Sequence, residues 1–216
     1  MATAPSRCSI YLITPPLSGR SANAFARDFG AVLAGARIAS ALVRLAPGAG
    51  GEAKAIIAPL LRAAIAADCA LLVEDDARLA ARLGADGVHI AGANDDLLEA
   101  IKSLKPERIV GAGSLRTRDD AMAAGEAGAD YVMFGEPTGA SPAMPLELLT
   151  ERVGWWAEIF ETPCVAYAET IEAAGALARA GADFVALDEA IWSAPSPVDA
   201  TRSVDAVLQR IVAEAQ

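Results

Sequence analysis

The stretch LLVEDDARLAARLGADGVHI, residues 71–90, contains an apolar run, an Ala-rich helical pattern, a glycine and a second apolar run. Its second half, LGADGVHI at 83–90, recurs as AGADYVMF at 127–134 and AGADFVAL at 180–187. In each copy the glycine can adopt the left-handed conformation that ends a helix. The brief apolar run after it is typical of a buried strand. The repeat therefore predicts a unit of helix, turn and strand.

Working outward from this unit, strand and helix patterns alternate along the chain. Strands are expected at 9–13, 41–45, 70–74, 87–90, 108–113, 131–135, 164–168 and 184–188. Helices are expected at about 20–37, 52–67, 76–83, 95–104, 117–127, 146–160, 170–180 and 199–214. Eight nearly all-apolar strands between helices indicate an α/β fold, a (β/α)8 TIM barrel, as a single domain over residues 1–216. A doubly wound open sheet is the alternative, but no G-x-G-x-x-G turn follows the first strand.

The composition excludes several classes of protein. A hydrophobic fraction of 54% is too high for a disordered chain, and three cysteines in 216 residues are too few for a disulfide scaffold. The formal net charge of −10 opposes nucleic-acid binding, and no apolar run reaches the roughly 18–20 residues that span a bilayer. We expect a cytoplasmic protein that acts on a small-molecule substrate, with neither nucleic acid nor a membrane as partner. Cys8, Cys69 and Cys164 should be reduced and mostly buried.

The carboxyl ends of the strands are where a TIM barrel places its functional side chains. Polar residues expected there are Thr14, Arg44, Glu74, Asp75, Asp76, His89, Asn94, Asp95, Ser114, Arg116, Glu136, Thr138, Ser141, Tyr167, Glu169, Asp188 and Glu189. The carboxylates at 74–76, together with Asp95 or Asp96, could hold Mg²⁺, which prefers hard oxygen ligands. The alternative is that Asp76 and Asn94 cap the helices that follow them, while their neighbours face water.

Three further strand ends each allow a functional and a structural interpretation. Arg44 could bind a phosphate or carboxylate through its guanidinium, or could pair with an acid of a neighbouring strand. Ser114 could bind an anion with its hydroxyl and nearby backbone N–H groups, or could belong to an ordinary helix cap. His89, the only histidine, is more easily explained as a core side chain bonded to a carboxylate than as a ligand.

Two features leave their roles open. The segment GEPTGASP at 135–142 could fold over a ligand or serve as a connector. Trp155 and Trp156 are adjacent on one predicted helix, so they cannot both face the core. One of them either marks a homodimer contact or lies at the rim of the core.

Longer stretches of the chain resemble a known family, the thiamine phosphate synthases and their TenI-type relatives. The resemblance is carried by IYLIT at 10–14, LLVEDDARLAARLGADGVHI at 71–90, IVGAGS at 109–114, GEAGADYVMFGEPT at 125–138 and ALARAGADFVALDEAI at 176–191. It implies a TIM barrel and a transferase of thiamine biosynthesis. Such an enzyme couples a hydroxymethylpyrimidine diphosphate to a thiazole phosphate and releases pyrophosphate, with Mg²⁺ as cofactor.

Carried over residue by residue, the resemblance implies a site at the mouth of the barrel. Arg44 and Ser114 would take catalytic roles, although a one-residue insertion leaves the family's serine position at either Gly113 or Ser114. Asp75 would bind the metal together with Asp95, although the family's acidic position after the fourth strand falls at either Asn94 or Asp95. The substrate-binding positions would be Glu74, Thr138, Ser141, Tyr167 and Glu189.

The chain also departs from the family pattern. Of a Gln-x-Arg-x-Lys after the second strand only Arg44 remains, and a phosphate-binding Gly-Gly after the seventh strand is replaced by AYAE at 166–169. Glu169 and Glu189 would repel a phosphate. Two hypotheses follow: a divergent synthase, or a degenerate or repurposed barrel that binds a thiamine-related or other small ligand without pyrophosphate chemistry.

Overall fold

The computed structural model describes residues 8–137 and 142–214. Its strands are β1 (Ser9–Ile13), β2 (Ile38–Val43), β3 (Ala70–Glu74), β4 (Gly87–Ala91), β5 (Ile109–Gly113), β6 (Tyr131–Phe134), β7 (Cys164–Tyr167) and β8 (Phe184–Leu187). All are parallel, each pairs with its sequence neighbours, and β1 pairs with β8 to close the ring. The expected TIM barrel is confirmed.

Helices cover the outside of the ring, and their bounds lie close to those expected. They are α1 (Gly19–Gly35), α2 (Ala53–Ala66), α3 (Ala77–Leu83), α4 (Asp95–Leu104), α5 (Arg118–Ala127), α6 (Leu146–Ile159), α7 (Ile171–Arg179), α8 (Glu189–Trp192) and α9 (Pro197–Glu214). The short helix α8 was not expected. Strand β2, expected at 41–45, begins earlier because the buried Ile38 pairs with Ile10 of β1. The strand also ends earlier than expected, at Val43, so Arg44 lies just beyond its end.

The repeated Gly-Ala-Asp has a specific structural role in each copy. Gly84 and Gly128 end their helices with φ angles of 74° and 97°, the left-handed conformation expected of them. The aspartate two residues later accepts a hydrogen bond, at 2.8 Å, from the first or second backbone N–H of the adjacent strand. These pairs are Asp86 with Leu71, Asp130 with Val110, and Asp183 with Cys164. The repeat therefore fastens the amino ends of β3, β5 and β7 to the turns beside them.

Apolar side chains fill two regions. One lies between the sheet and the helices, and the other lies inside the ring, where Tyr11, Leu42, Leu72, Tyr131 and Met133 are among the buried residues. Cys8, Cys69 and Cys164 are free and buried, as expected. Within the described ranges, no helix is long and apolar enough to cross a membrane.

The two adjacent tryptophans of α6 differ in environment. Trp156 is buried and donates a hydrogen bond to the carbonyl of Thr162 at 2.7 Å. Trp155 is partly exposed, and the guanidinium of Arg118 lies 4.6 Å from the centre of its ring. A homodimer contact at Trp155 stays a prediction.

Gly87 of β4 is predicted to be essential for sheet packing, because a Cβ there would lie 2.2 Å from the carbonyl oxygen of Ile109. Backbone on a paired strand cannot move aside cheaply, so Gly87→Ala should lower the free energy of unfolding by about 2–3 kcal/mol. Urea denaturation followed by circular dichroism measures this change. The matched control is Gly51→Ala, where a Cβ would meet nothing within 4 Å. Equal stability of the two variants would contradict the prediction.

Candidate active site

The carboxyl ends of the strands surround a cavity of about 360 Å³. Of the residues expected to form a site, five line this cavity, namely Arg44, Glu74, Asp75, Ser114 and Tyr167. Its lining also includes His89, Glu136 and the apolar side chains of Ile13, Leu42 and Met133. The site is therefore a pocket with an apolar interior and a charged rim.

The other four residues expected in the site are not found among the described residues that line the cavity. Asp95 is exposed in the first turn of α4 and is not part of the cavity lining. Glu189 is also exposed, in the first turn of α8, and is outside the lining. Thr138 and Ser141 lie outside the described residues. The roles of all four stay predictions.

Arg44 is held at the rim by contacts on two sides. Its Nε donates to the carbonyl oxygen of Thr14 at 2.9 Å, and its Nη2 donates to Oδ2 of Asp188 at 3.2 Å. Asp188 is only 6% exposed, and its Oδ1 accepts a hydrogen bond from the Tyr167 hydroxyl at 2.6 Å. The ion pair that the sequence allowed as a structural alternative is thus present. It also orients the guanidinium, which lines the cavity, and its Nη1 has no hydrogen-bond partner among the described residues.

Asp75 is fixed at the rim by its backbone and side chain together. Its N–H donates to the carbonyl of His89 at 2.9 Å, and its Oδ1 accepts from the N–H of Ala91 at 2.8 Å. Its φ angle of 51° is rare for a residue with a side chain and turns the chain sharply after β3. Glu74 before it is half-buried, and this burial raises the pKa of its carboxyl group, an effect that Arg44 partly opposes.

The neighbouring residues Asp76 and Asn94 are helix caps, as the structural alternative predicted. The Asp76 carboxylate accepts from the N–H of Leu79 at 2.8 Å, and the Asn94 side chain accepts from the N–H of Leu97 at 3.1 Å. Each side chain thereby satisfies a backbone donor that a helix start leaves unpaired.

The carboxylate oxygens of Glu74 and Asp75 are suitable ligands for Mg²⁺, but a bound substrate would have to supply further ligands. In the part of the chain that the structure describes, no group of three or more His, Cys, Asp and Glu side chains is placed to hold a metal. Magnesium usually takes one or two carboxylates and completes its shell with water and substrate phosphates. The two carboxylates on this cavity therefore fit a metal that arrives with a phosphorylated substrate.

His89 points into the barrel and belongs to a chain of hydrogen bonds below the rim. Its Nδ1 lies 2.8 Å from the hydroxyl of Tyr131, which lies 2.8 Å from the hydroxyl of Tyr11. The partner is a phenol and not the carboxylate that the sequence suggested. Burial lowers the pKa of His89 to about 4, so the imidazole is neutral at pH 7.

Glu136 is a residue of the cavity lining to which the sequence assigned no chemistry. It follows Gly135 at the end of β6, lines the cavity, and accepts a hydrogen bond from the backbone N–H of Ser114. This N–H was expected to bind an anion, and a carboxylate of the protein itself occupies that position. Burial raises the pKa of Glu136 to about 7.

A second cavity of about 290 Å³ adjoins the first and shares Ser114 and Glu136 with it. Its other walls include Leu115, Arg116 and Ala143. Two neighbouring compartments at one mouth can hold two ligands against each other.

The fold and the cavity define a (β/α)8 barrel with a small-molecule site at the carboxyl ends of its strands. Comparison with known proteins identifies the family. The model of the family described as thiamine monophosphate synthase matches residues 10–191, and the chain belongs to this family.

Individual relatives agree with this membership. The chain is 40% identical to a thiamine-phosphate synthase of Rhodospirillum centenum, covering 88% of this chain and 91% of that protein. It is 34% identical to a thiamine-phosphate synthase of Hyphomonas neptunium, covering 95% and 96% of the two chains. The solved structure of a thiamine phosphate pyrophosphorylase from Pyrococcus furiosus superimposes with a TM-score of 0.79 at 22% identity, covering 94% and 96%. This last likeness concerns the fold alone.

Proposed function

We propose that the protein couples a hydroxymethylpyrimidine diphosphate to a thiazole phosphate and releases pyrophosphate. The observation that carries the proposal is the convergence of Arg44, Glu74 and Asp75 on one cavity, in a chain of this family. The adjoining compartment supports it, since a coupling reaction needs room for two substrates. The proposed setting is the cytoplasm, where free buried cysteines are usual.

The proposed reaction breaks the bond between the pyrimidine methylene carbon and the diphosphate oxygen, and the thiazole nitrogen then bonds to that carbon. No net proton transfer is needed. Arg44 donates hydrogen bonds to the departing diphosphate and stabilises its charge. Glu74 and Asp75 would hold Mg²⁺, which, when bound, offsets the charge that develops on the leaving group. The apolar walls formed by Ile13, Leu42 and Met133 exclude water from the reacting carbon.

The direct test is turnover of the two substrates by the purified protein with Mg²⁺, measured as thiamine phosphate and pyrophosphate formed. We expect both products in equal amounts. The control variant Asp75→Asn keeps an acceptor for the Ala91 N–H but loses the charge, and should lower kcat/KM about 10-fold to 100-fold. It should also raise the Mg²⁺ concentration needed for half-maximal rate. A folded wild-type protein that forms no product would contradict the proposal.

A second candidate function is supported by the way the anion donors are occupied. Asp188 engages Arg44, and Glu136 engages the Ser114 N–H, so protein carboxylates already lie at two positions suited to phosphates. A repurposed barrel that binds a thiamine-related ligand without pyrophosphate chemistry would have this arrangement. Calorimetry separates the two functions, because the synthase should bind pyrophosphate in the presence of Mg²⁺ and the repurposed barrel should not.

A further inference from the structure

We propose that Glu136 recognises the amidine edge of an aminopyrimidine, meaning its exocyclic amine and the adjacent ring nitrogen, on the side of the mouth opposite Arg44. The identity of the pyrimidine rests on the proposed function. The assignment of this edge to Glu136 rests on the geometry of the cavity.

The two ends of the cavity are chemically different. Strands lie in sequence order around the closed ring, so β2 and β6 are four positions apart and diametrically opposite. Arg44 follows β2 and Glu136 follows β6, and both line the same cavity. A ligand with a diphosphate at one end and a basic heterocycle at the other would span the mouth with its diphosphate at Arg44. The heterocycle would then lie against Glu136.

Glu136 is oriented by its surroundings. The N–H of Ser114 donates a hydrogen bond to its Oε1, and Ser114 has a φ angle of 54°, which is rare for a residue with a side chain. Gly113 lies beneath, where a Cβ would be 2.6 Å from Oε1 of Glu136 and 2.3 Å from Nε2 of His89. These two atoms are therefore less than about 5 Å apart. The absence of a side chain at Gly113 allows the carboxyl group and the imidazole to converge.

The carboxyl group matches the amidine edge atom for atom. In its protonated form, one oxygen accepts a hydrogen bond from the exocyclic amine and the other donates its proton to the ring nitrogen. Oxygen Oε1 has a second lone pair, so the Ser114 N–H and the amine can bind it together. A phosphate at the same place would meet this carboxyl group across a few ångströms and be repelled when it ionises.

Several titratable or charged groups surround Glu136, and its titration has to be distinguished from theirs. The titratable or charged groups around it are Tyr11 of β1, Glu74 of β3, His89 of β4, Arg116 after β5 and Tyr131 of β6. Burial raises the pKa values of both tyrosines, and it lowers that of His89 to about 4. Between pH 6.5 and 8.5 the tyrosines keep their protons and the imidazole stays neutral. Glu136, whose pKa is about 7, loses its proton in this range.

The test is calorimetry with 4-amino-5-hydroxymethyl-2-methylpyrimidine, which carries no phosphate, and with its analogue that lacks the amine. Wild-type protein should bind the amine form at least about tenfold more tightly, the discrimination expected of a paired donor and acceptor. Glu136→Leu should abolish this discrimination. Glu136→Gln, whose amide offers one acceptor and one donor, should retain it.

A pH series identifies the role of the proton. Wild-type affinity for the amine form should fall about tenfold from pH 7 to pH 8.5, because neither partner then carries the shared proton. Glu136→Gln affinity should stay constant over this range. Thermal unfolding of each variant checks that it is folded. In Glu136→Gln the amide oxygen can replace the carboxyl oxygen as the acceptor for the Ser114 N–H.

Three results would overturn the inference: no binding of the amine form by wild type, unchanged discrimination in Glu136→Leu, or the same pH dependence in wild type and Glu136→Gln. Its failure is distinguishable from failure of the proposed function, which is measured by turnover of the phosphorylated substrates. Turnover without discrimination would overturn the inference alone. Discrimination without turnover would overturn the proposed function alone.

Discussion

Arg44→Ala should lower kcat/KM for the coupling reaction by about 10²-fold to 10³-fold, the usual effect of removing one donor that stabilises transition-state charge. Among the described residues that line the cavity, Arg44 is the one with a permanent positive charge. Its guanidinium is already oriented by Thr14 and Asp188, so little conformational entropy is lost when it binds a diphosphate. Steady-state kinetics with the pyrimidine diphosphate varied measures the change.

The loss of Arg44 also leaves the buried Asp188 without its charged partner, which would destabilise the protein. The double variant Arg44→Ala/Asp188→Asn separates the two effects, since it removes the unpaired charge. It should recover much of the stability and none of the activity. Arg44→Lys keeps the charge but not the forked geometry, and should have intermediate activity. A rate within twofold of wild type for Arg44→Ala would contradict the assigned role.

The fold could be predicted because its signals are local. Gly84 and Gly128 of the repeat end their helices through their own backbone conformation, whereas Gly181 has a left-handed φ angle one residue after the cap of α7. The apolar runs that follow are buried on both faces of the sheet. The start of β2 could not be placed because Ile38 pairs with Ile10 across a register shift, which is a property of two strands together. The aspartates of the repeat looked like turn residues, and their bonds to the neighbouring strands depend on tertiary structure.

The sequence predicted which residues of the candidate site follow a strand, but it did not predict which groups those residues bind. Sequence order shows which residues follow a strand, and Arg44, Asp75 and Tyr167 do line one cavity. It does not show which way the chain turns next. At the end of β8, Asp188 turns inward to Arg44, whereas Glu189 starts a helix and faces solvent.

Hydrogen bonds between side chains and groups of different strands could not be predicted from the sequence either. His89 of β4 bonds to Tyr131 of β6, which lies 42 residues further along the chain and comes within reach only when β4, β5 and β6 assemble into the curved sheet. Glu136 reaches the N–H of Ser114 in the same way. Neither pair has a local sequence signal.

Glu136→Gln should change the pH dependence of stability as well as ligand binding. Burial raises the pKa of Glu136 from 4.5 to about 7, so the folded state holds a proton that the unfolded state loses between these values. The stabilisation is complete below pH 4.5 and is lost as the pH rises through 7, a change of about 3 kcal/mol. Glutamine has no such proton. The variant should therefore gain about 3 kcal/mol over wild type between pH 4.5 and pH 8.

His89 makes the free energy of unfolding change with pH in the opposite direction, because burial lowers its pKa from 6.5 to about 4. The unfolded state binds the extra proton between these values, so this contribution is complete above pH 6.5 and is lost as the pH falls through 4. The two slopes nearly cancel between pH 4.5 and 6.5 in the wild type. In Glu136→Gln, the free energy of unfolding should rise by about 3 kcal/mol from pH 4 to pH 6.5, because only His89 then titrates. In His89→Gln, it should fall from pH 4.5 to pH 7, because only Glu136 then titrates.

Urea denaturation at half-unit pH steps measures both curves, and differences from wild type remove the contributions of all other groups. A constant difference between wild type and Glu136→Gln would show that Glu136 titrates alike in the folded and unfolded states. The burial of this carboxyl group would then not control its proton. Because His89 and Glu136 both approach Gly113, the double variant should also reveal whether their titrations are coupled. If the effects of the two single variants add up to that of the double variant at each pH, the two groups titrate independently. A deviation from additivity would measure the interaction between His89 and Glu136.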